Sequence, residues 1–352
     1  MKKSLIAVAV AAALPTIALA QTNVTLYGLA DVGIGMQDRG GNGKAAIVVS
    51  SGTQNTSRWG IRGTEDLGGG LNAVFNFESG MRIDDGTAAG MNFTRRSVVG
   101  LQGGFGTVVF GRDYTPGFTS TGATDVMAHG LYGNLLTYTV QGAIGSMGSA
   151  AHGIETRASN GVHYMSPNMG GLTVRAMYSF GERTADPMRA GDIRGVSAVY
   201  AAGPLTAQAY YQQLVSLNGT STSNNNQYGV GAGYNFGAFR VTANYLVADP
   251  AGTNNKHTGI SVGAGVKVGT GELLAQVIQQ KVDLAGTAAK GTSLGVAYTH
   301  PLSRRTNLYA TFGMTRNNSA GRFLVRTGDE TVTPAVAGDD AKAFGVGVRH
   351  LF

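Results

Sequence analysis

Leu172-Thr173-Val174-Arg175-Ala176-Met177-Tyr178-Ser179-Phe180 carries the deciding pattern. Leu172, Val174, Ala176, Tyr178 and Phe180 alternate with Thr173, Arg175, Met177 and Ser179. Side chains on a strand point to opposite faces in turn, so the segment is extended, with one apolar and one largely polar face. The same alternation runs through Val24 to Asp31, through Phe239 to Tyr245, and through Phe344, Val346, Val348, His350 and Phe352. A soluble sandwich would bury the apolar face. A membrane barrel turns it to lipid and lines water with the polar face. Periodicity alone leaves both open.

The connections separate them. Short turns fall at 66–70, 102–106, 167–171, 202–204, 235–238, 269–271 and 301–304. Longer polar loops fall at 37–55, 82–91, 113–156, 181–191, 215–226, 249–257, 285–289 and 317–341. Seven short and eight long connections alternate, which gives 16 strands with both ends on the short-turn side. An even strand count with short turns at one rim and long loops at the other is the pattern of an outer-membrane barrel. Closure leaves no unpaired edge in lipid. The expected fold is all-β, a 16-stranded antiparallel transmembrane β-barrel. Tyr and Phe near strand ends fit the aromatic belts of such barrels.

Composition agrees. The chain has 352 residues, no cysteine, 55 glycines and 8 prolines. Glycine without periodic proline excludes collagen, and 14 Tyr with 13 Phe argue against disorder. Met1-Lys2-Lys3, the apolar run from Leu5 to Leu14 and Ala18-Leu19-Ala20 read as a secretory signal peptide over 1–20. The mature barrel is then 21–352. The formal charge of +7 drops to about +5 once Lys2 and Lys3 are lost. Export removes nucleic acid as a partner.

Enzyme chemistry finds no support. There is no cysteine nucleophile and no H-E-x-x-H. The six histidines show no metal-ligand spacing, and the glycine-rich pieces lack the strand-to-helix context of a phosphate loop. No catalytic residue, cofactor or metal is assigned. The loop at 113–156 stands apart. It has little alternation, holds Asp113, Asp125 and His129, and has no lysine or arginine between Arg112 and Arg157. A loop this long in a compact domain is usually functional or disordered.

Several motifs carry a resemblance. They are Val24-Thr25-Leu26-Tyr27-Gly28, the run from Ser57-Arg58-Trp59-Gly60 to Leu71, Arg95-Arg96-Ser97-Val98-Val99-Gly100-Leu101, Gly111-Arg112-Asp113-Tyr114 and the terminal Phe352. In this order they resemble the trimeric general porins of Gram-negative outer membranes, nearest the β-proteobacterial branch. The resemblance implies a homotrimer among outer-membrane lipid and lipopolysaccharide, with Phe352 read by the insertion machinery. It also implies that the third loop folds into the lumen and narrows it. Arg58, Arg62, Arg95 and Arg157 match basic wall positions, and Asp125 matches an acid on the loop. Arg95 would share its face with Ser97, leaving Arg96 on the other. His129 stands where many relatives carry glutamate, and Leu29 where relatives can carry a lumen lysine.

Charged rings set selectivity in pores, and Arg favours anions. Four ionised arginines facing few acids give an expected moderate anion preference, with Asp113, Asp125 and Asp31 offsetting it. His129 would add pH dependence below its usual pKa of about 6.5. Arg112 is expected to anchor the loop base. Asp113 either pairs with it or faces the pore. The expected function is passive diffusion of small hydrophilic solutes and anions. The alternatives are a channel specific for phosphate or a sugar, or a porin that also serves as an adhesin through 317–341.

Overall fold

The computed structural model describes residues 23–41, 45–87, 92–138, 154–218, 220–251 and 255–352. The expected leader at 1–20 lies outside the described residues, as does 139–153 of the third loop.

Sixteen antiparallel strands close on themselves. The first, β1 (Asn23–Asp38), pairs along one edge with the last, β16 (Ala341–Leu351), from Leu29 opposite Leu351 to Asp38 opposite Lys342. Its other edge pairs with β2, which is split into Ala46–Ser51 and Arg58–Gly68. The strands between are β3 (Leu71–Gly80), β4 (Arg96–Gly103), β5 (Gly106–Tyr114), β6 (Arg157–Met165), β7 (Leu172–Ser179), β8 (Ile193–Ala202) and β9 (Leu205–Asn218). Then come β10 (Ser221–Asn235), β11 (Phe239–Pro250), β12 (His257–Val268), β13 (Gly271–Leu284), β14 (Thr287–Pro301) and β15 (Thr306–Asn317).

Burial is inverted relative to a water-soluble domain. Val230, Ile260 and Val262 are 53–61% exposed, whereas Gln212, Gln227, Gln276 and Asn244 are buried. Large apolar patches facing out and amides facing in mark a bilayer outside and a polar interior. No helix among the described residues is long and apolar enough to cross a membrane.

All seven short turns lie where the sequence places them. Three long connections do not. Residues 46–51 form half of β2, inside the stretch expected as the first loop. The fifth and seventh connections shrink to tight hairpins between Asn218 and Ser221 and between Leu284 and Thr287. Polarity misleads there because a strand end standing above the bilayer needs no apolar outer face.

The third loop begins with a short helix, α1 (Pro116–Gly122). Thr115 caps it by accepting from Phe118 N at 3.2 Å, and Pro116 fills the first turn. The chain then turns repeatedly to a 3-10 segment at Leu135–Tyr138. Amides on the inner faces of the strands hold it. Gln212 Oε1 accepts from Gly117 N at 3.0 Å, Asn244 Nδ2 donates to Thr124 O at 3.0 Å, and Gln276 Nε2 donates to Gly133 O at 2.9 Å. Val126, Met127 and Leu131 pack on Leu274, Ala297 and Tyr309. The loop and β14 approach so closely that a Cβ at Gly295 would lie 2.3 Å from Tyr132 O.

Candidate functional site: a loop-flanked passage

The side of the interior that the amides leave free is basic. A cavity of about 330 Å³ lies between the third loop and β2, β5 and β6, lined by Arg58, Arg95, Tyr114, Phe118, His129 and Arg157. Arg326 and Asp329 of the eighth loop complete it. The structure therefore brings together Arg58, Arg95, Arg157 and His129 of the residues singled out by sequence.

Register explains the wall. Arg58 opposes Leu29 and Arg62 opposes Thr25, both on the inward parity of β1, while Val24 and Leu26 are 57% and 63% exposed on the outward one. Arg62 lies further along the pleat toward the short-turn rim. It stands over the Tyr27 ring, 5.1 Å from its centroid, and does not line the cavity.

Arg95 and Arg157 are tied to one phenol. Both donate to Tyr114 Oη at 3.0 Å, and the Arg157 guanidinium carbon lies 4.5 Å from the Tyr114 ring centroid. Tyr114 stacks on Phe118 at 4.9 Å, and Phe118 meets His129 at 4.6 Å. Aromatic faces thus brace the guanidiniums, a partnership that suits Arg better than Lys.

Four expectations need correction. Arg96 faces inward with buried Val98, while Val99 and Leu101 of Ser97's parity are exposed. Arg95 precedes the strand, so strict alternation does not reach it. Asp113 is paired with Arg96 at 2.7 Å rather than with Arg112 or open water. Asp125 does not present its carboxylate to the passage. It accepts from Met127 N, His129 N, Leu135 N and Gln276 Nε2 at 2.9–3.1 Å, with its side chain fully buried. Backbone N–H groups released by the tight turns need an acceptor, and this carboxylate supplies it. Asp31 likewise is no free lumen acid. It accepts from Tyr309 Oη at 2.6 Å and from Gln54 N and Asn55 N at 2.9 and 2.6 Å, fastening the interruption of β2.

Arg112 reaches Thr94 O at 2.6 Å and Ser159 Oγ at 2.8 Å, bridging both neighbours of β5 at the loop base. Phe352 pairs its backbone with Gly28 in both directions at 3.0 Å, and its ring covers Gly28 so closely that a Cβ there would clash. Burial pushes the His129 imidazole below its ordinary pKa, partly offset by Asp125.

Sequence reasoning missed Glu78, Arg326 and Asp329. Glu78 accepts from Arg95 Nε at 2.8 Å and lies 3.4 Å from Arg58 Nε. The alternation of Asn76 and Glu78 with Phe75 and Phe77 signals it as inward-facing. No such signal marks the eighth loop, which is irregular. Its hairpin of Val325–Arg326 with Thr331–Val332 folds back onto the third loop, where Asn134 Nδ2 donates to Arg326 O at 3.0 Å and Tyr132 Oη to Glu330 Oε2 at 3.1 Å. Burial raises the Asp329 carboxyl above its ordinary value, with Thr56 and the Ser57 amide opposing. No cluster of metal-ligating residues occurs among the described residues.

A closed barrel with an apolar exterior, a hydrogen-bonded polar interior and a loop laid against its inner wall has the build of an outer-membrane barrel. A profile described as Gram-negative porin matches residues 7–320, and the chain belongs to that family, in the Gram-negative outer membrane. It is 33% identical to outer membrane porin protein 32 of Delftia acidovorans over 100% of both chains. It is 31% identical to an outer membrane porin protein of Bordetella pertussis, again over 100% of both. The solved anion-selective porin from Comamonas acidovorans matches with a TM-score of 0.82 at 30% identity, over 94% of this chain and 100% of that one. The chain is a diffusion channel.

Proposed function

We propose that the cavity flanked by the third loop is the channel's constriction and that it favours small anions. The observation carrying this is the charge of its lining. Arg58, Arg95, Arg157 and Arg326 stand against Glu78 and Asp329, four cations to two carboxylates. Asp113, Asp125 and Asp31, expected to offset the arginines, are spent on Arg96, on loop amides and on Tyr309. A surplus of fixed positive charge in a narrow water-filled passage concentrates anions and repels cations. The similar Comamonas acidovorans protein bears the name anion-selective, which supports the same reading.

Around this eyelet Arg112 anchors the loop base, Asp125 shapes the loop, and Arg62 belongs to the vestibule on the short-turn side. Residues 1–20 serve as the leader and 21–352 as the mature barrel, with Phe352 as the insertion signal. The working unit is a homotrimer among outer-membrane lipid and lipopolysaccharide. Its contact face lies at β1 and β2, where Leu26 and Ile47 are 63% and 79% exposed. The test is the zero-current potential of single channels across a potassium chloride gradient. Its sign on the anion side supports the reading, and a cation-side value overturns it.

A further inference from the structure

We propose that the inner wall holds a second, smaller anion site, separate from the constriction, that takes one small inorganic anion such as chloride, bromide or nitrate. It lies on the short-turn side of the third loop's base, behind Pro116, between β4, β5, β6 and β7. Arg175, Arg96, His163, Thr107 and the Asp113 carboxylate line a cavity there of about 60 Å³.

Three observations point to an anion. Arg175 faces inward between outward-facing Val174 and Ala176 and makes no hydrogen bond or ion pair among the described residues. A partly enclosed guanidinium with no protein acceptor has its donors open to an anion. His163 lines the cavity at 8% exposure, and Arg96 Nε is buried without a hydrogen-bond partner. The carboxylate at hand is already committed, since Asp113 takes Arg96 Nη2 at 2.7 Å and Tyr114 N at 2.7 Å. Donors therefore outnumber acceptors around the cavity.

Size selects the ligand. The free space is small, and a compact inorganic anion fits it better than a sugar or a phosphate ester. An occupant would hold Arg175 to the Arg96–Asp113 pair and so brace the point where β5 hands over to the loop. The site does not depend on the constriction being anion-selective, because the two share only Tyr114 among their lining residues.

The test uses the full-length protein purified from the outer membrane. Crystals grown with bromide replacing chloride should give an anomalous peak within hydrogen-bonding distance of the Arg175 guanidinium, lost in Arg175→Gln. In solution at fixed ionic strength, replacing gluconate by chloride should raise the melting temperature of the native protein and leave that of Arg175→Gln unchanged. An empty pocket in native crystals overturns the proposal without involving any variant. So does a peak retained in Arg175→Gln, which would mark an adventitious ion only, or an equal chloride response in both proteins.

Discussion

Glu78 accepts a hydrogen bond from Arg95 Nε at 2.8 Å and lies 3.4 Å from Arg58 Nε, so one carboxylate stands between two of the guanidiniums that face the passage. The group is not a fixed neutral unit. Two cations share one anion, and the surplus charge faces water. Glu78→Gln should therefore increase anion preference while weakening the wall. Charge-assisted hydrogen bonds contribute about 1.5–3 kcal/mol, and the partly wet setting of Arg58 places the expected loss at the low end. Zero-current potential and thermal unfolding of the purified protein check the two effects. A fall in anion preference would mean that Glu78 does not face the permeating ions.

Asp125 separates a structural from an electrostatic role for the loop acid. Its carboxylate receives three backbone N–H groups and one amide, all within the loop or from β13. Asp125→Ala leaves these donors buried and unsatisfied, at about 1–3 kcal/mol for each group left without water. The loop should loosen, single-channel conductance should rise and become noisy, and the zero-current potential should move little. A large shift in that potential at unchanged conductance would place the carboxylate in the passage instead.

Acid should strengthen anion preference. Burial holds His129 below its ordinary 6.5, so it stays neutral to lower pH than a free imidazole and gains its proton only beneath that value. Burial raises Asp329 above its ordinary 3.8, so it loses its negative charge at higher pH than a free carboxylate. Both changes add positive charge as pH falls, the imidazole somewhere below 6.5 and the carboxyl already above 3.8. The linked stability follows the same groups. A native imidazole with lowered pKa binds fewer protons than the unfolded chain, so its contribution is complete above about 6.5 and is lost as pH falls. The raised Asp329 acts in the opposite sense, favouring the folded state toward acid. Zero-current potentials taken from neutral pH down to the ordinary carboxylate range should show rising anion preference, with a smaller rise in His129→Gln. A flat profile in the native protein would exclude both groups from the passage.

The barrel is legible in sequence because lipid imposes a rule on every second residue. Val174, Ala176 and Tyr178 must be apolar to face the bilayer, and Arg175 must then face inward. Strand ends above the bilayer obey no such rule, so 215–226 and 285–289 read as loops although they form hairpins. The proposed constriction is legible in part. Arg58, Arg95 and Arg157 are marked by motif and by loop boundaries. Asp125 and Asp31 mislead because a carboxylate that receives backbone N–H groups looks in sequence like one that faces water. Arg326 and Asp329 reach the site only through the tertiary fold of the eighth loop, which has no periodicity to follow.

Arg112 makes a further contrast. It bridges Thr94 and Ser159 outside the cavity, so Arg112→Ala should cost about 1–3 kcal/mol in stability through two charge-assisted contacts. Its effect on the zero-current potential should be small beside that of Arg58. An equal effect on selectivity would assign it to the passage rather than to the loop base.

In the proposed channel Arg58 and Arg95 set the sign of selectivity. Each charge contributes about 0.5 kcal/mol at the ion's position once water and salt screen it. Losing both should remove about 1 kcal/mol of attraction for chloride and as much repulsion of potassium, and so lower the chloride-to-potassium permeability ratio roughly thirtyfold. The measurement is the zero-current potential of single channels across a potassium chloride gradient, native protein against Arg58→Ser/Arg95→Ser. The native channel should lie on the anion side and the double variant should move clearly toward cations. An unchanged potential in the double variant would remove both arginines from the selectivity site.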